Sequence, residues 1–151
     1  MKTILFSLFG AFLLINSGYA QTVPANQTDS TAIKKAAIDY VGGVFNGDSK
    51  SVAGAVDPEL VKRIVYKDPS GDAIQNMGAS MLILATVKNK KNDPDPSVPF
   101  KATVTIYDIY NDIATIKIVS NKFKFIDYAQ LAKVNGSWKI INVLWALTPS
   151  K

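Results

Sequence analysis

The feature that most restricts the fold is a change of periodicity near residue 100. From Phe100 to Leu147 the chain alternates, is rich in Val, Ile, Thr and Tyr, and is interrupted by two polar pairs, Asn111-Asp112 and Asn135-Gly136. Such pairs suit hairpin turns because Asn, Asp and Gly tolerate the positive φ that a tight turn demands. The pattern predicts strands over Phe100–Tyr110, Ile113–Ser120, Lys122–Val134 and Ser137–Leu147, joined as an antiparallel meander. Strands with one apolar face need a covering layer, and the residues before 100 are patterned to supply it. Ile33, Ala37, Tyr40, Val41 and Val44 recur at helical spacing behind the alternative N-caps Asp29, Ser30 and Thr31. Gly42 and Gly43 weaken this helix by about 1 kcal/mol each, which points to close packing there. Asn46-Gly47-Asp48 ends it and caps a second helix, Ser49–Val56. Asp57-Pro58 reads as a cap with a first-turn proline, so Glu59–Arg63 is expected to be helical before a short strand, Ile64–Tyr66. After a turn over Asp68–Asp72, a third helix is expected over Met77–Lys88, with Met77, Met81, Leu84, Ala85 and Lys88 on one face. Helices followed by antiparallel strands define an α+β class.

The N-terminus follows signal-peptide grammar. Lys2 precedes an uncharged apolar run, Ile4–Ile15, then polar Asn16–Gly18, and Gly18-Tyr19-Ala20 places small residues where a signal peptidase reads. Cleavage before Gln21 is expected, because the run falls short of the roughly twenty residues a membrane span requires. Residues 21–28 read as a disordered leader and 29–148 as one domain. The chain has no cysteine, which excludes disulfides, thiolate metal sites and a lipoprotein anchor. A disulfide-free exported domain suits a bacterial periplasm or the surroundings of the cell. Histidine is also absent, which removes the commonest general base and most zinc sites. With no glycine-rich phosphate loop and no calcium-loop pattern, neither a cofactor nor a metal is expected. The net charge of +5 is mild. Only Lys88, Lys90 and Lys91 cluster, beside the loop signal Asn92–Pro96, which fits a solvated loop edge better than a nucleic-acid surface.

Ordered groups of residues along the chain sharpen the reading. They are Asp39-Tyr40-Val41 with Asn46-Gly47-Asp48, then Asp57-Pro58-Glu59-Leu60 with Lys62-Arg63, then Asn76-Met77 and Met81-Leu82. Tyr107-Asp108, Asn111-Asp112-Ile113-Ala114, Phe125, Asp127-Tyr128, Leu131 and Gly136 follow, and the set ends with Trp138–Asn142 and Trp145. Together they resemble the Putative lumazine-binding family of the nuclear transport factor 2-like superfamily, over nearly all of the chain after the signal peptide. The resemblance implies a cone, in which a strongly curved antiparallel sheet wraps the helices and leaves an internal, mostly apolar pocket. It also implies that the outer sheet face forms a homodimer. In that family a histidine usually precedes the proline of the Asp57-Pro58 group; Asp57 stands there instead, so no histidine role carries over. The superfamily holds isomerases, dehydratases, cyclases and binding modules, so the fold does not determine the activity.

Several residues are candidates for a site. Asp127 and Tyr128 interrupt an apolar strand, and on a regular strand they cannot both face the pocket. Phe123, Phe125 and Asp127 share a face, where a carboxylate beside aromatics is either a pKa-shifted acid or base or a partner for a lysine or backbone amide. Asn142 shares a face with Trp138, Ile140 and Leu144, and there either holds a ligand carbonyl or bonds backbone or Asp127. Lys139, Ile141, Val143 and Trp145 form the opposite face, the expected dimer face, with Trp145 as its anchor. Arg63, the only arginine, either grips an anion at the pocket mouth or makes a surface ion pair. Tyr40, Phe45, Met77 and Met81 have the chemistry of a pocket lining and equally of plain core. Three functions fit: a small apolar or aromatic molecule held non-covalently, a histidine-free isomerase or dehydratase centred on Asp127, or a protein-interaction module dimerising through its sheet.

Overall fold

The computed structural model describes residues 27–89, 93 and 95–149. The expected signal peptide, the leader up to residue 26, and Lys90 and Lys91 lie outside these residues. The elements run α1 (Gln27–Asn46), α2 (Ser49–Ala55), β1 (Val56–Tyr66), β2 (Ala73–Gly78), α3 (Ala79–Lys88), β3 (Ala102–Tyr110), β4 (Ile113–Ser120), β5 (Phe125–Val134) and β6 (Ser137–Leu147). The strands make one six-stranded sheet in the order β2-β1-β6-β5-β4-β3. The α+β class and the C-terminal meander are as the sequence predicts. The sheet is mixed rather than purely antiparallel, because β1 runs parallel to β6.

Both meander turns use the expected backbone: Asn111, Asn135 and Gly136 have φ of 50°, 49° and 76°. Asp48 caps α2 by accepting from the amides of Lys50 and Ser51. Gly43 lets α1 and α2 meet, since a Cβ there would lie 2.9 Å from Val52 Cγ2 and 3.0 Å from the Asp48 carbonyl oxygen. Helix α1 starts at Gln27, two residues before the expected caps, so Gln27 and Thr28 belong to the helix and not to the leader.

The largest departure lies between residues 56 and 78. Asp57-Pro58 does not open a helix; Val56–Tyr66 is a strand. Asp57 accepts from the Glu59 amide at 2.9 Å, a local turn that uses the same chemistry as a cap. The β1–β6 register shifts between Val56 and Val61, so Pro58 lacks its N–H in a stretch where the ladder is interrupted anyway. Val61–Tyr66 then pairs antiparallel with β2, which takes Asn76 and Met77 into a strand and delays α3 to Ala79. Helix α3 also buries a different face from the one expected. Ala79, Leu82 and Thr86 point inward, whereas Met81 and Leu84 are exposed.

A second irregularity reverses one strand. On β5 and β6, Gln130 pairs with Asn142 but Leu131 pairs with Ile140, leaving Ile141 as an extra residue. A one-residue insertion moves every later side chain to the other face. Trp138 and Ile140 point inward before it, and Val143 is buried after it. The core joins Ile33, Ala37 and Tyr40 of α1 to Ile116, Ile118, Leu131, Ile140 and Val143 of the sheet.

Candidate functional site

Between α1, α3 and the concave side of the sheet lies a cavity of about 330 Å³. Val41 and Val44 of α1, Leu82 and Ala85 of α3, Met77 of β2, and Phe123, Phe125, Trp145 and Leu147 of the meander give it apolar walls. Tyr40 and Lys62 also line it. Phe125 packs face to face with Phe123 at 4.8 Å and meets Trp145 edge-on at 5.5 Å, so three rings form one continuous aromatic surface.

A buried polar cluster stands at this wall. Lys62 Nζ lies 2.6 Å from Asp127 Oδ1 and donates to Tyr40 Oη at 2.7 Å, while Tyr40 donates to Asp127 Oδ2 at 3.0 Å. The three groups close a triangle contributed by β1, β5 and α1. The side chains of Lys62 and Asp127 are 8% and 1% exposed, so the pair is withdrawn from water. Removing two charges from water costs several kcal/mol each, and the short contact, with one hydrogen bond to each carboxylate oxygen, offsets that cost. The rings of Phe125, Trp145 and Tyr40 add to the offset, with centroids 5.0, 5.2 and 5.4 Å from Nζ. Burial pushes the Lys62 ammonium below its ordinary range, against the opposing pull of Asp127. Burial, reinforced by the charge of Asp127, pushes the Tyr40 phenol well above its ordinary range. Tyr40 is therefore a neutral donor to Asp127 and a neutral acceptor from Lys62.

A family model described as "Putative lumazine-binding" matches residues 28–146. The chain belongs to that family. No protein of curated function matches it. Among solved structures, a nuclear transport factor 2-like protein of unknown function from Shewanella baltica is 22% identical and superposes with a TM-score of 0.64, covering 83% of this chain and 98% of that one. A second, from Silicibacter pomeroyi and also of unknown function, is 13% identical with a TM-score of 0.66, covering 82% and 98%. A ketosteroid isomerase-like protein from Erwinia carotovora atroseptica is 15% identical with a TM-score of 0.57, covering 83% and 100%. At these identities the likeness establishes the nuclear transport factor 2-like fold and nothing of the chemistry.

In this member of the Putative lumazine-binding family the candidate residues separate. Tyr40, Met77 and Phe125 lie on the cavity wall. Phe45 is one step behind it, stacked on Phe100 at 4.7 Å and edge-on to Phe123 at 6.2 Å. Asp127 is fully buried, covered by Lys62 and Tyr40. Tyr128 faces outward, as alternation beside an inward Asp127 requires, and stacks on Tyr107 at 6.2 Å. Met81 is exposed and does not line the cavity, because α3 turns Ala79, Leu82 and Thr86 inward. Arg63 and Asn142 are removed as a pair: Arg63 Nη1 donates to Asn142 Oδ1, and Asn142 donates to Gln130 at 3.2 Å, on the convex side of the sheet. The bulge at Ile141 accounts for Asn142, and equally for Val143 and Trp145, which face inward and not toward a dimer partner. Lys139 is tied to the helical layer through the Gly54 carbonyl, which leaves Ile141 alone, half-buried, of the four expected dimer-face residues.

Lys62 escaped the sequence reading. The signal was present as Leu60-Val61-Lys62, an alternation that puts Lys62 on the same strand face as Leu60, itself 1% exposed. Reading the segment as helical concealed it.

Proposed function

We propose that this protein is an exported small-molecule-binding protein whose cavity takes one small, mostly apolar or aromatic compound without forming a covalent bond. The carrying observation is the cavity itself: about 330 Å³, walled by apolar and aromatic side chains, with the Lys62 ammonium set among them. That combination of apolar walls and a few fixed polar groups is what ligand sites of this size share. Export is supported by Lys2, the apolar Ile4–Ile15 run and Gly18-Tyr19-Ala20. Among the described residues no helix is long and apolar enough to cross a membrane. Association of two copies through the convex sheet face is supported by its exposed Val65, Tyr128 and Leu144.

The isomerase or dehydratase reading is less well supported. A base must reach the proton it abstracts, whereas both Asp127 oxygens are already engaged by Lys62 and Tyr40 and the residue does not contribute to the cavity wall.

Native mass spectrometry of the protein isolated from its own host's envelope tests the proposal. The expected spectrum shows a mature mass beginning at Gln21, a reproducible small adduct lost on denaturation, and a dimer. A clean apo mass, together with unchanged Trp145 fluorescence across a panel of aromatic compounds, would overturn the binding reading. An uncleaved or monomeric mass would overturn export or dimerisation separately.

A further inference from the structure

We infer that Lys62 is the specificity determinant of the cavity, and that the ligand is a neutral ring compound bearing a hydrogen-bond acceptor such as a carbonyl oxygen. This rests on the binding reading above and adds the chemistry of the ligand's polar end.

The inference follows from counting donors. A lysine ammonium carries three N–H donors. Asp127 and Tyr40 take two of them, at 2.6 and 2.7 Å, and among the described residues no third acceptor lies within hydrogen-bond reach. The rings nearest Nζ on the remaining side, Phe125 and Trp145, are themselves cavity walls. The spare donor is therefore left with the ring faces of Phe125 and Trp145, a weaker attraction than a hydrogen bond, and a buried donor without an acceptor is costly. A ligand atom that accepts from it satisfies the ammonium and is fixed in place by it.

The sign of the ligand's charge follows from the same triangle. Lys62 and Asp127 cancel, and Tyr40 stays protonated because burial and Asp127 both oppose its ionisation. A cation would approach the ammonium directly and be repelled. An anion would meet an ammonium whose counter-charge is already in place 2.6 Å away, and would add an uncompensated negative charge to a site sheltered from water. A neutral acceptor pays neither penalty, and the aromatic walls accommodate the rest of a flat ring system.

The test uses three bicyclic probes of similar size: indane, 1-indanone and indane-1-carboxylate. Their affinities are measured by calorimetry or ligand-observed magnetic resonance on the whole mature protein, and on Lys62→Met/Asp127→Asn. That double variant removes both charges together and leaves Tyr40 an acceptor, so it avoids stranding a buried ion. In the wild type 1-indanone is expected to bind about tenfold more tightly than indane, the usual gain from one hydrogen bond to a charged donor. It is also expected to bind more tightly than the carboxylate. In the double variant the ketone-to-hydrocarbon ratio is expected to approach one. Equal wild-type affinities for ketone and hydrocarbon would overturn the acceptor subsite while leaving the cavity a binding site. A carboxylate that binds best would overturn the neutral-ligand class, and a preference that survives in the double variant would remove Lys62 from the role. Failure of all three probes to bind at millimolar concentration would overturn this inference and the binding reading together.

Discussion

Two carboxylates in this protein hold the same kinds of partner, a lysine and an aromatic donor, and differ in their access to water. Asp127 accepts from Lys62 at 2.6 Å and from the Tyr40 hydroxyl at 3.0 Å. Asp29 accepts from Lys133 at 2.8 Å and from the Trp138 indole N–H at 2.9 Å. Each joins α1 to the meander, and each consists of an aspartate, a lysine and one aromatic donor. The difference is water. The Lys62 and Asp127 side chains are 8% and 1% exposed, against 31% and 20% for Lys133 and Asp29. In the half-buried cluster solvent still reaches and screens the charges and can replace a lost partner, so the cluster positions the start of α1 against the β5–β6 hairpin at little risk. In the buried cluster nothing can replace a lost partner, so every member depends on the others. A protein gains little net stability from burying such a pair. The buried triangle is better understood as a rigid presenter of one N–H to the cavity than as a staple.

The comparison breaks most sharply at Lys62. Lys62→Met alone is expected to cost about 3–5 kcal/mol, because it strands an ionised carboxylate in the core. Adding Asp127→Asn should recover a large part of that loss. Urea denaturation followed by tryptophan fluorescence checks both, and additive effects of the two substitutions would contradict the interdependence described here. Tyr40→Phe comes next. It takes the donor from Asp127 Oδ2 and the acceptor from Lys62 without changing the ring, and is expected to cost about 1–3 kcal/mol. It should also alter the alkaline limb. The folded phenol titrates well above its usual range of about 10, so its contribution is complete below the unfolded value and is lost as pH rises toward the folded one. Lys62, whose folded value is lowered, acts with the opposite sign below its ordinary 10.5, so the wild type must be compared with Tyr40→Phe and not read alone. A wild-type stability that falls no faster than that of Tyr40→Phe above pH 10 would show that the phenol is not buried as described.

What the sequence disclosed depended on how local each signal was. The meander was legible because its turns are written in two adjacent residues each, Asn111-Asp112 and Asn135-Gly136, and the positive φ of Asn111, Asn135 and Gly136 is one that Asn and Gly tolerate. Strand β1 was not. Its partner β6 is some eighty residues away, and Asp57-Pro58 carries the same local chemistry whether it opens a helix or a strand with an interrupted ladder. Tyr40, Met77 and Phe125 were visible as candidates because aromatic and methionine side chains suit an adaptable wall wherever they fall. Asn142, Val143 and Trp145 were assigned to the wrong faces for one reason. The extra residue at Ile141 leaves no mark in an unbroken apolar run, and strand parity propagates a single insertion to every residue after it. Arg63 was misplaced with its partner Asn142. Lys62 was hidden for a different reason: the alternation that sets it on the face of buried Leu60 points to burial only once the segment is known to be a strand.

The half-buried cluster supplies the smallest effect and the cleanest contrast. Two hydrogen bonds, from Lys133 and then from Trp138, hold the Asp29 carboxyl below its usual value near 3.8. Its stabilising contribution is therefore complete above that value and is lost as pH falls through the lower folded value, where the unfolded chain binds the proton first. Asp29→Asn is expected to lower the urea midpoint modestly at neutral pH and to converge with the wild type in strong acid. The variant isolates Asp29 from Asp48, Asp68, Asp93 and Asp95, whose carboxyls are also lowered and shape the same limb. Raising the salt concentration should shrink the wild-type advantage over Asp29→Asn, because a partly solvated ion pair is screened, and should leave the Lys62→Met deficit nearly unchanged. If both deficits respond to salt alike, the two carboxylates share one kind of environment and the contrast between them fails. If only the Asp29 deficit responds, one arrangement of aspartate, lysine and aromatic donor has been shown to act as a partly solvated tie at one end of the sheet and as a desolvated cluster at the cavity wall.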